Sequence, residues 1–258
     1  MAVCFVIIGI MTPQRSALFI LTLLLAACQP SMVETPLSPT STGVPLIEPS
    51  PTPTLIPPTS APPTETLVPA PRVFTEGFDG TLPNWSFQQM DNGQPASGPE
   101  IRSGFLVFNL STTNQWVYSI YDAQEYVDVR VDAQAGNLSG DGGAVGVVCR
   151  YSEMNGWYEF DVYPDGTYTL LFGQWLAQGV ARYKPMYRGF SDKIKSDANE
   201  VSLSCEGDVL TPFINGVQLR KWQETRYGLK SGKIGLAAAS FESAPLMIGF
   251  DWVKVSEP

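Results

Sequence analysis

Two carboxylates stand two residues apart, Glu159 and Asp161, within the stretch YEFDVYPDGTY at 158–168. In an extended chain both side chains leave the same face, with Cβ atoms roughly 7 Å apart at a rise of about 3.3 Å per residue. Carboxyl groups so placed can flank a glycosidic bond, one protonated as general acid and the other ionised as nucleophile. The same alternation has a plainer reading, which the pattern favours. Tyr158, Phe160 and Val162 face a core, and Glu159, Asp161 and Tyr163 form the solvated side of a half-buried strand. On that reading Arg150, from a neighbouring strand, pairs with one of the acids as an exposed ion pair of small energetic weight.

Composition removes other chemistry. The chain has no histidine, which excludes Ser-His and Cys-His dyads, zincin motifs and any His-based general base. Residues 72–258 carry 22 acids against 15 basic residues, seven negative charges in excess. No Lys/Arg cluster stands out along this sequence, so nucleic acid would be repelled. The Gly-rich segment Ser139–Gly146 lacks the GK[ST] ending of a phosphate loop and runs into a strand, so it reads as a plain loop.

The elements that must position these residues are strands. Period-2 alternation recurs from Phe105 to Leu110, Glu125 to Asp132, Gly143 to Tyr151, Trp157 to Tyr163, Thr167 to Phe172, Glu200 to Cys205, Pro212 to Leu219, Lys233 to Ala239 and Met247 to Val255. In the second run Val127, Val129 and Val131 share the inner face. Pro164-Asp165-Gly166 and Asn215-Gly216 carry turn chemistry, the latter a type I′ hairpin signature. Pro212 cannot donate to a ladder and argues for an edge strand or a bulge. Many strands, regular turns and no helical period predict an all-β, two-sheet antiparallel sandwich or jelly roll over 72–258.

The N-terminal third has a different logic. An apolar run, Ala17 to Leu25, follows Arg15 and ends at Leu25-Ala26-Ala27-Cys28, the spacing of a bacterial lipobox. Residues 1–28 therefore read as a lipoprotein signal peptide with Cys28 as the acylated residue, each buried methylene contributing about 0.8 kcal/mol to membrane insertion. Met1 to Ile10 lacks the basic residues of a signal n-region, so Met11 is the better start and Cys4 falls outside the translated chain. Residues 29–71 hold 13 of the 22 prolines and no aromatic residue. Such a tract cannot bury enough surface to order itself and extends at about 3.1 Å per residue as a tether. The expected location is a bacterial cell surface or periplasm, with a membrane bound through the lipid. In that oxidising setting Cys149 and Cys205, each in phase with apolar neighbours on a strand, are disulfide candidates.

Four segments carry a family resemblance. GVVCRYSEMNGWYEFDVYPDGTYTLLF at 146–172, VSLSCEGDVLTPFINGVQL at 201–219, SGKIGLAA at 231–238 and FDWVKV at 250–255 resemble concanavalin A-like jelly rolls of the laminin-G-like and family 16 glycoside hydrolase-like kind, and FDGTLPNW at 78–85 suits a first strand. The resemblance implies two antiparallel sheets, a curved face and a glycan or cell-wall polysaccharide as partner. It also implies a test of catalysis, because hydrolytic members carry E-x-D-x-E on one strand. Here the pattern is Glu159-x-Asp161-x-Tyr163, and the third carboxyl is missing. A phenol with an ordinary pKa near 10 cannot protonate a leaving oxygen as a carboxylic acid does.

Binding has better material. A sugar offers a C–H face to aromatic rings and a hydroxyl rim to polar groups. Trp157, Tyr163, Trp175, Tyr183, Tyr187 and Trp222, with Glu159, Asp161 and Arg150, are the candidates, and residues 173–197 read as a long aromatic loop over the curved face. No cofactor is expected. A structural Ca²⁺, as jelly rolls often hold between first and last strands, would take Glu76, Asp79 and Asp251. The expectation is a non-catalytic surface module that binds carbohydrate or serves adhesion, the alternatives being a hydrolase using Glu159 and Asp161 or a ligand-free spacer.

Overall fold

The computed structural model describes residues 70–90, 96–140 and 142–258. The expectations placed on 1–69, namely the Met11 start, acylation of Cys28 and nearly all of the 29–71 tether, lie outside the described residues. From Ala70 onward the chain is held in place. Gln124 Nε2 donates to the Ala70 carbonyl at 2.9 Å and Tyr126 Oη to the Arg72 carbonyl at 3.0 Å.

The described residues form sixteen strands and no helix. In chain order they are β1 (Phe74–Glu76), β2 (Trp85–Gln89), β3 (Glu100–Arg102), β4 (Phe105–Leu110), β5 (Trp116–Tyr126), β6 (Val129–Asn137), β7 (Ala144–Ser152) and β8 (Gly156–Val162), then β9 (Thr167–Ala177), β10 (Val180–Phe190), β11 (Ala198–Glu206), β12 (Val209–Ile214), β13 (Val217–Gln218), β14 (Trp222–Gln223), β15 (Gly232–Ala239) and β16 (Leu246–Ser256). One sheet runs β13-β12-β11-β6-β16-β4-β3, with β1 on β16 and β14 on β12, and the other runs β10-β9-β8-β7-β15-β5-β2. The pairings are antiparallel, and two sheets packed face to face are the sandwich that the alternation predicts.

The core between the sheets takes one phase of each strand: Tyr158, Phe160 and Val162 from β8, Val145 and Val147 from β7, Val129 and Val131 from β6, and Leu203 from β11. Cys149 of β7 and Cys205 of β11 lie in this core and are bonded, with Cα atoms 6.7 Å apart. The bond joins the two sheets across the layer.

Several local expectations hold. Asn215 and Gly216 both have positive φ, as a type I′ turn requires, and residues 139–140 and 142–143 are irregular ahead of β7. The Pro212 conflict resolves through direction. Its carbonyl accepts from Leu219 N at 2.9 Å on the side away from β11. A strand residue's N and C=O point the same way, so the missing donor costs the β11 ladder nothing.

Three expectations fail at the level of the fold. Glu125 to Asp132 is not one strand, because the chain bends at Val127–Asp128 between β5 and β6, and Val127 is 59% exposed rather than inner. Residues 173–197 are mostly not a loop: the long hairpin of β9 and β10 turns at Gln178–Gly179, with Gly179 at φ 71°, and only the stretch after Phe190 is irregular. The three acids proposed for Ca²⁺ do not gather. Among the described residues no group of three or more acids or Cys is placed to hold a metal, and Glu76 instead accepts from the Phe78 backbone N–H at 2.9 Å.

The inter-sheet bond closes a long loop in the unfolded chain, its cysteines separated by 56 positions in sequence, so its removal should weaken the fold by about 4 kcal/mol in the loop-entropy account. Urea titration of Cys149→Ala/Cys205→Ala against the oxidised protein is expected to show a loss of that order with little change in native circular dichroism.

Candidate binding face and its sealed carboxyl pair

Every residue of β8 is buried, on both faces of its sheet. This double burial departs most from the sequence reading, in which Glu159 and Asp161 are wet. They do point away from the inter-sheet core, as the alternation requires. But Glu159 is 0% and Asp161 1% exposed, because the outer face of the sheet carries a second apolar cluster of its own.

That cluster is built strand by strand. Trp116 and Tyr118 come from β5, Tyr151 from β7, Trp157 from β8, Trp175 from β9 and Tyr183 from β10. Trp157 and Trp175 have ring centroids 5.3 Å apart, Tyr118 meets Trp157 edge-on at 5.4 Å, and Trp116 stacks on Tyr183 at 4.6 Å. Two glycines make room. A Cβ on Gly173, opposite Trp157, would lie 2.3 Å from the indole, and one on Gly146, opposite Asp161, would lie 2.3 Å from the carboxyl.

The rings also supply donors. Glu159 Oε2 accepts from Trp157 Nε1 at 2.7 Å and from Tyr118 Oη at 3.1 Å, while Oε1 accepts from Trp116 Nε1 at 3.3 Å. With the Tyr118 proton committed to Glu159, Tyr183 Oη, 2.8 Å away, donates to Tyr118. Burial pushes these phenols up, Tyr151 to about 12 and Tyr118 well above its usual value, so they remain neutral donors.

Two carboxylates in so dry a place cannot both ionise. Burial raises Asp161 well above the carboxylate range, and the neighbouring Glu159 charge raises it further. Burial also raises Glu159, but hydrogen bonds from Trp157, Asp161, Trp116 and Tyr118 oppose the rise. Asp161 Oδ2 is buried and receives no donor, as suits a protonated carboxyl that is itself a donor to Glu159. The pair therefore holds one proton, on Asp161.

Arg150 does not join them. A bulge in β7, with Arg150 at φ 53°, turns its side chain elsewhere. The guanidinium, 1% exposed, donates to the carbonyls of Val127, Gly207 and Leu229 at 3.0, 2.8 and 2.8 Å and pairs with Asp128 at 3.3 Å. Trp157 is 0% exposed and is no surface platform. Tyr187 lies on the inner side of β10 beside Trp222, centroids 6.0 Å apart, under Arg220. Tyr163 adjoins the outer cluster through Phe241 at 5.5 Å.

The half-buried Trp175 and Tyr183 remain as accessible candidates. Trp175, whose Nε1 donates to Tyr151 Oη at 2.9 Å, borders an open cleft of about 560 Å³. Gln88 of β2, Tyr151, Glu153 and the hairpin tip through Gln178 complete its lining. Residues of β2 and of the β9–β10 hairpin, at opposite edges of one sheet, line the same cleft, and Tyr118 of β5 reaches Tyr183 of β10, so this face is concave. Gln88, Glu153, Trp116, Tyr118 and Tyr151 escape sequence reading. Only the outward phase of WVYSIY at 116–121 signals the last layer of rings.

No family model and no curated protein sequence matches the chain. Solved structures do. The carbohydrate-binding module CBM66 from Bacillus subtilis is 11% identical with a TM-score of 0.50, over 67% of this chain and 96% of its own. A GH16 protein of a Bacteroides ovatus mixed linkage glucan PUL, in complex with a product, is 11% identical with a TM-score of 0.51, over 71% and 99%. A Bacillus subtilis protein of unknown function with a galectin-like fold is 12% identical with a TM-score of 0.53, over 71% and 94%. The fold is a concanavalin A-like jelly roll. Within that jelly roll, β8 carries its acids on the concave outer face, beneath the rings.

Two substitutions separate the roles of the acids. Glu159→Ala leaves three buried donors without an acceptor and should cost about 3 kcal/mol or more in urea unfolding. Asp161→Asn keeps a donor toward Glu159 and should cost far less at neutral pH. Because the folded protein holds the Asp161 proton more tightly than the unfolded chain, that group's stabilisation is fully present below about pH 4 and is lost as pH rises toward its raised folded pKa. Stability measured against pH should therefore fall less steeply from acid toward neutral in Asp161→Asn than in the parent protein.

Proposed function

We propose that this protein is a cell-surface module, anchored by acyl chains on Cys28 and held out by the 29–71 tether, that binds a glycan without cleaving it. The observation that carries the reading is the state of Glu159 and Asp161: both are buried on the outer side of the sheet, and both Glu159 oxygens are engaged there by indole and phenol donors. A glycoside hydrolase needs its acid and its nucleophile in contact with the sugar. Rings buried against the acids on one side present Trp175 to an open, polar-rimmed cleft on the other. An aromatic ring beside Gln88, Glu153 and Gln178 is what a pyranose with a C–H face and a hydroxyl rim requires.

The structural neighbours support carbohydrate as the ligand class, since one is a carbohydrate-binding module and another a GH16 protein with product bound. The location rests on the Leu25-Ala26-Ala27-Cys28 motif and on the Pro/Thr composition that follows it.

Calorimetric titration with a panel of neutral glucan oligosaccharides is expected to find a binder. Trp175→Ala should weaken it at least about tenfold, or about 1.4 kcal/mol, and the milder Gln88→Ala should weaken it in the same direction with unchanged thermal unfolding. Reducing-end release should be absent. Release that Glu159→Gln abolishes would make the chain a hydrolase, and absence of any binder would leave a spacer. Labelled palmitate should enter the parent protein in a bacterial host and not Cys28→Ala.

A further inference from the structure

The inner side of the β9–β10 hairpin, opposite the Trp175 cleft, gathers positive charge that the sequence disperses. Arg182 and Lys184 alternate along β10 with the outward-facing Ala181 and Tyr183, and the segment after β14 brings Arg226 to them. The three line an open cleft of about 440 Å³ with Asn155, Gln174 and Tyr227.

Three features distinguish this cleft from a chance surface cluster. First, no acid among the described residues lines it, in a domain with seven negative charges in excess. Two acids lie two residues from its lining: Glu153 lines the Trp175 cleft instead, and Glu224 is turned inward, where it accepts from Tyr158 Oη at 2.6 Å and from the backbone N–H groups of Arg226, Tyr227 and Gly228, and is 4% exposed. Second, none of the three cations takes part in an ion pair among the described residues. Third, the wall is rigid and aromatic. Tyr227 lies flat on Phe172 with centroids 3.8 Å apart and planes 4° from parallel, Arg226 sits 5.4 Å from the Tyr227 ring, and Gln174 Oε1 accepts from Arg182 at 2.9 Å.

We infer that this cleft is a second binding site, specific for an acidic polysaccharide whose carboxylate or phosphate groups pair with Arg182, Lys184 and Arg226 while its ring packs at Tyr227. Guanidinium groups held against a ring and an amide are pre-oriented for a planar or tetrahedral oxyanion. The cleft is concave and of saccharide size, and Asn155 and Gln174 offer amide partners for hydroxyl groups. A flat anionic surface such as a membrane would meet the acidic remainder of the domain and be repelled. The inference rests on the glycan reading above for the class of polymer only, because the two clefts share no residue.

Calorimetry on the full chain would use a galacturonate tetramer as the carboxylate source, a short polyglycerol-phosphate oligomer as the phosphate source, and cellotetraose as the neutral control. At least one anionic oligomer is expected to bind, the arm that binds naming the source. Its affinity should fall about tenfold between about 20 mM and about 300 mM salt. Substitution of the exposed Arg182, Lys184 and Arg226 by Gln should weaken that binding at least about tenfold, each lost charge-assisted bond contributing. Trp175→Ala should leave it unchanged, whereas binding of neutral glucan should show the reverse dependence, so failure of one site is separable from failure of the other. The inference is overturned if neither anionic oligomer binds, if the triple variant binds as the parent does, if cellotetraose displaces the bound oligomer, or if inorganic phosphate binds as tightly as the oligomers.

Discussion

The Glu159 carboxylate is the constraint around which the outer face is organised. An ionised group with no exposed surface is costly unless its lone pairs are filled. Here two indoles, a phenol and a protonated neighbour fill them. The donors come from two strands, Trp116 and Tyr118 from β5 and Trp157 and Asp161 from β8 itself, so the requirement fixes the positions of β5 and β8 relative to each other, and Tyr183 extends it to β10 through Tyr118. Removing water from the acids and presenting Trp175 to the cleft are two consequences of the same packing.

The concave side of the second sheet is therefore a built layer and not a solvated surface. Between the sheets lies the larger core, pinned by Cys149–Cys205. Outside lies the smaller cluster of Tyr118, Tyr151 and Trp157, admitted by glycines at 146 and 173. At the edge of this sheet the β9–β10 hairpin contributes to an aromatic cleft with Glu153 in its lining on one side and to a cationic cleft on the other. The fold supplies curvature; the side chains on that hairpin decide what the curvature receives.

Much of the architecture is legible in the sequence because period-2 alternation and turn residues are local signals. The runs at 105–110, 157–163, 200–205 and 247–255 all fall on strands, and Asn215-Gly216 forms its hairpin. What escapes is whatever depends on a neighbour distant in the chain. Acids alternating with apolar residues look wet, yet two of the three rings that donate to Glu159 come from residues 116 and 118, outside any local window. Arg150 reads as an outward charge, and only the bulge at its own position swings it toward three carbonyls. The 173–197 segment reads as a loop because β10 lies at a sheet edge and its mixed polar and aromatic residues obscure the alternation. Trp175 and Tyr183, singled out in the sequence, lie half-buried against the outer cluster.

Carbon-13 NMR of the side-chain carboxyls, titrated from about pH 4 to about pH 8, tests the sealed pair most directly. The account predicts an Asp161 carboxyl carbon that keeps the shift of a protonated acid through neutral pH, together with a Glu159 carbon that keeps the shift of a carboxylate. Ordinary independent titration of both carbons near pH 4 would contradict it, because the two acids would then be in water and free to act on a bound sugar.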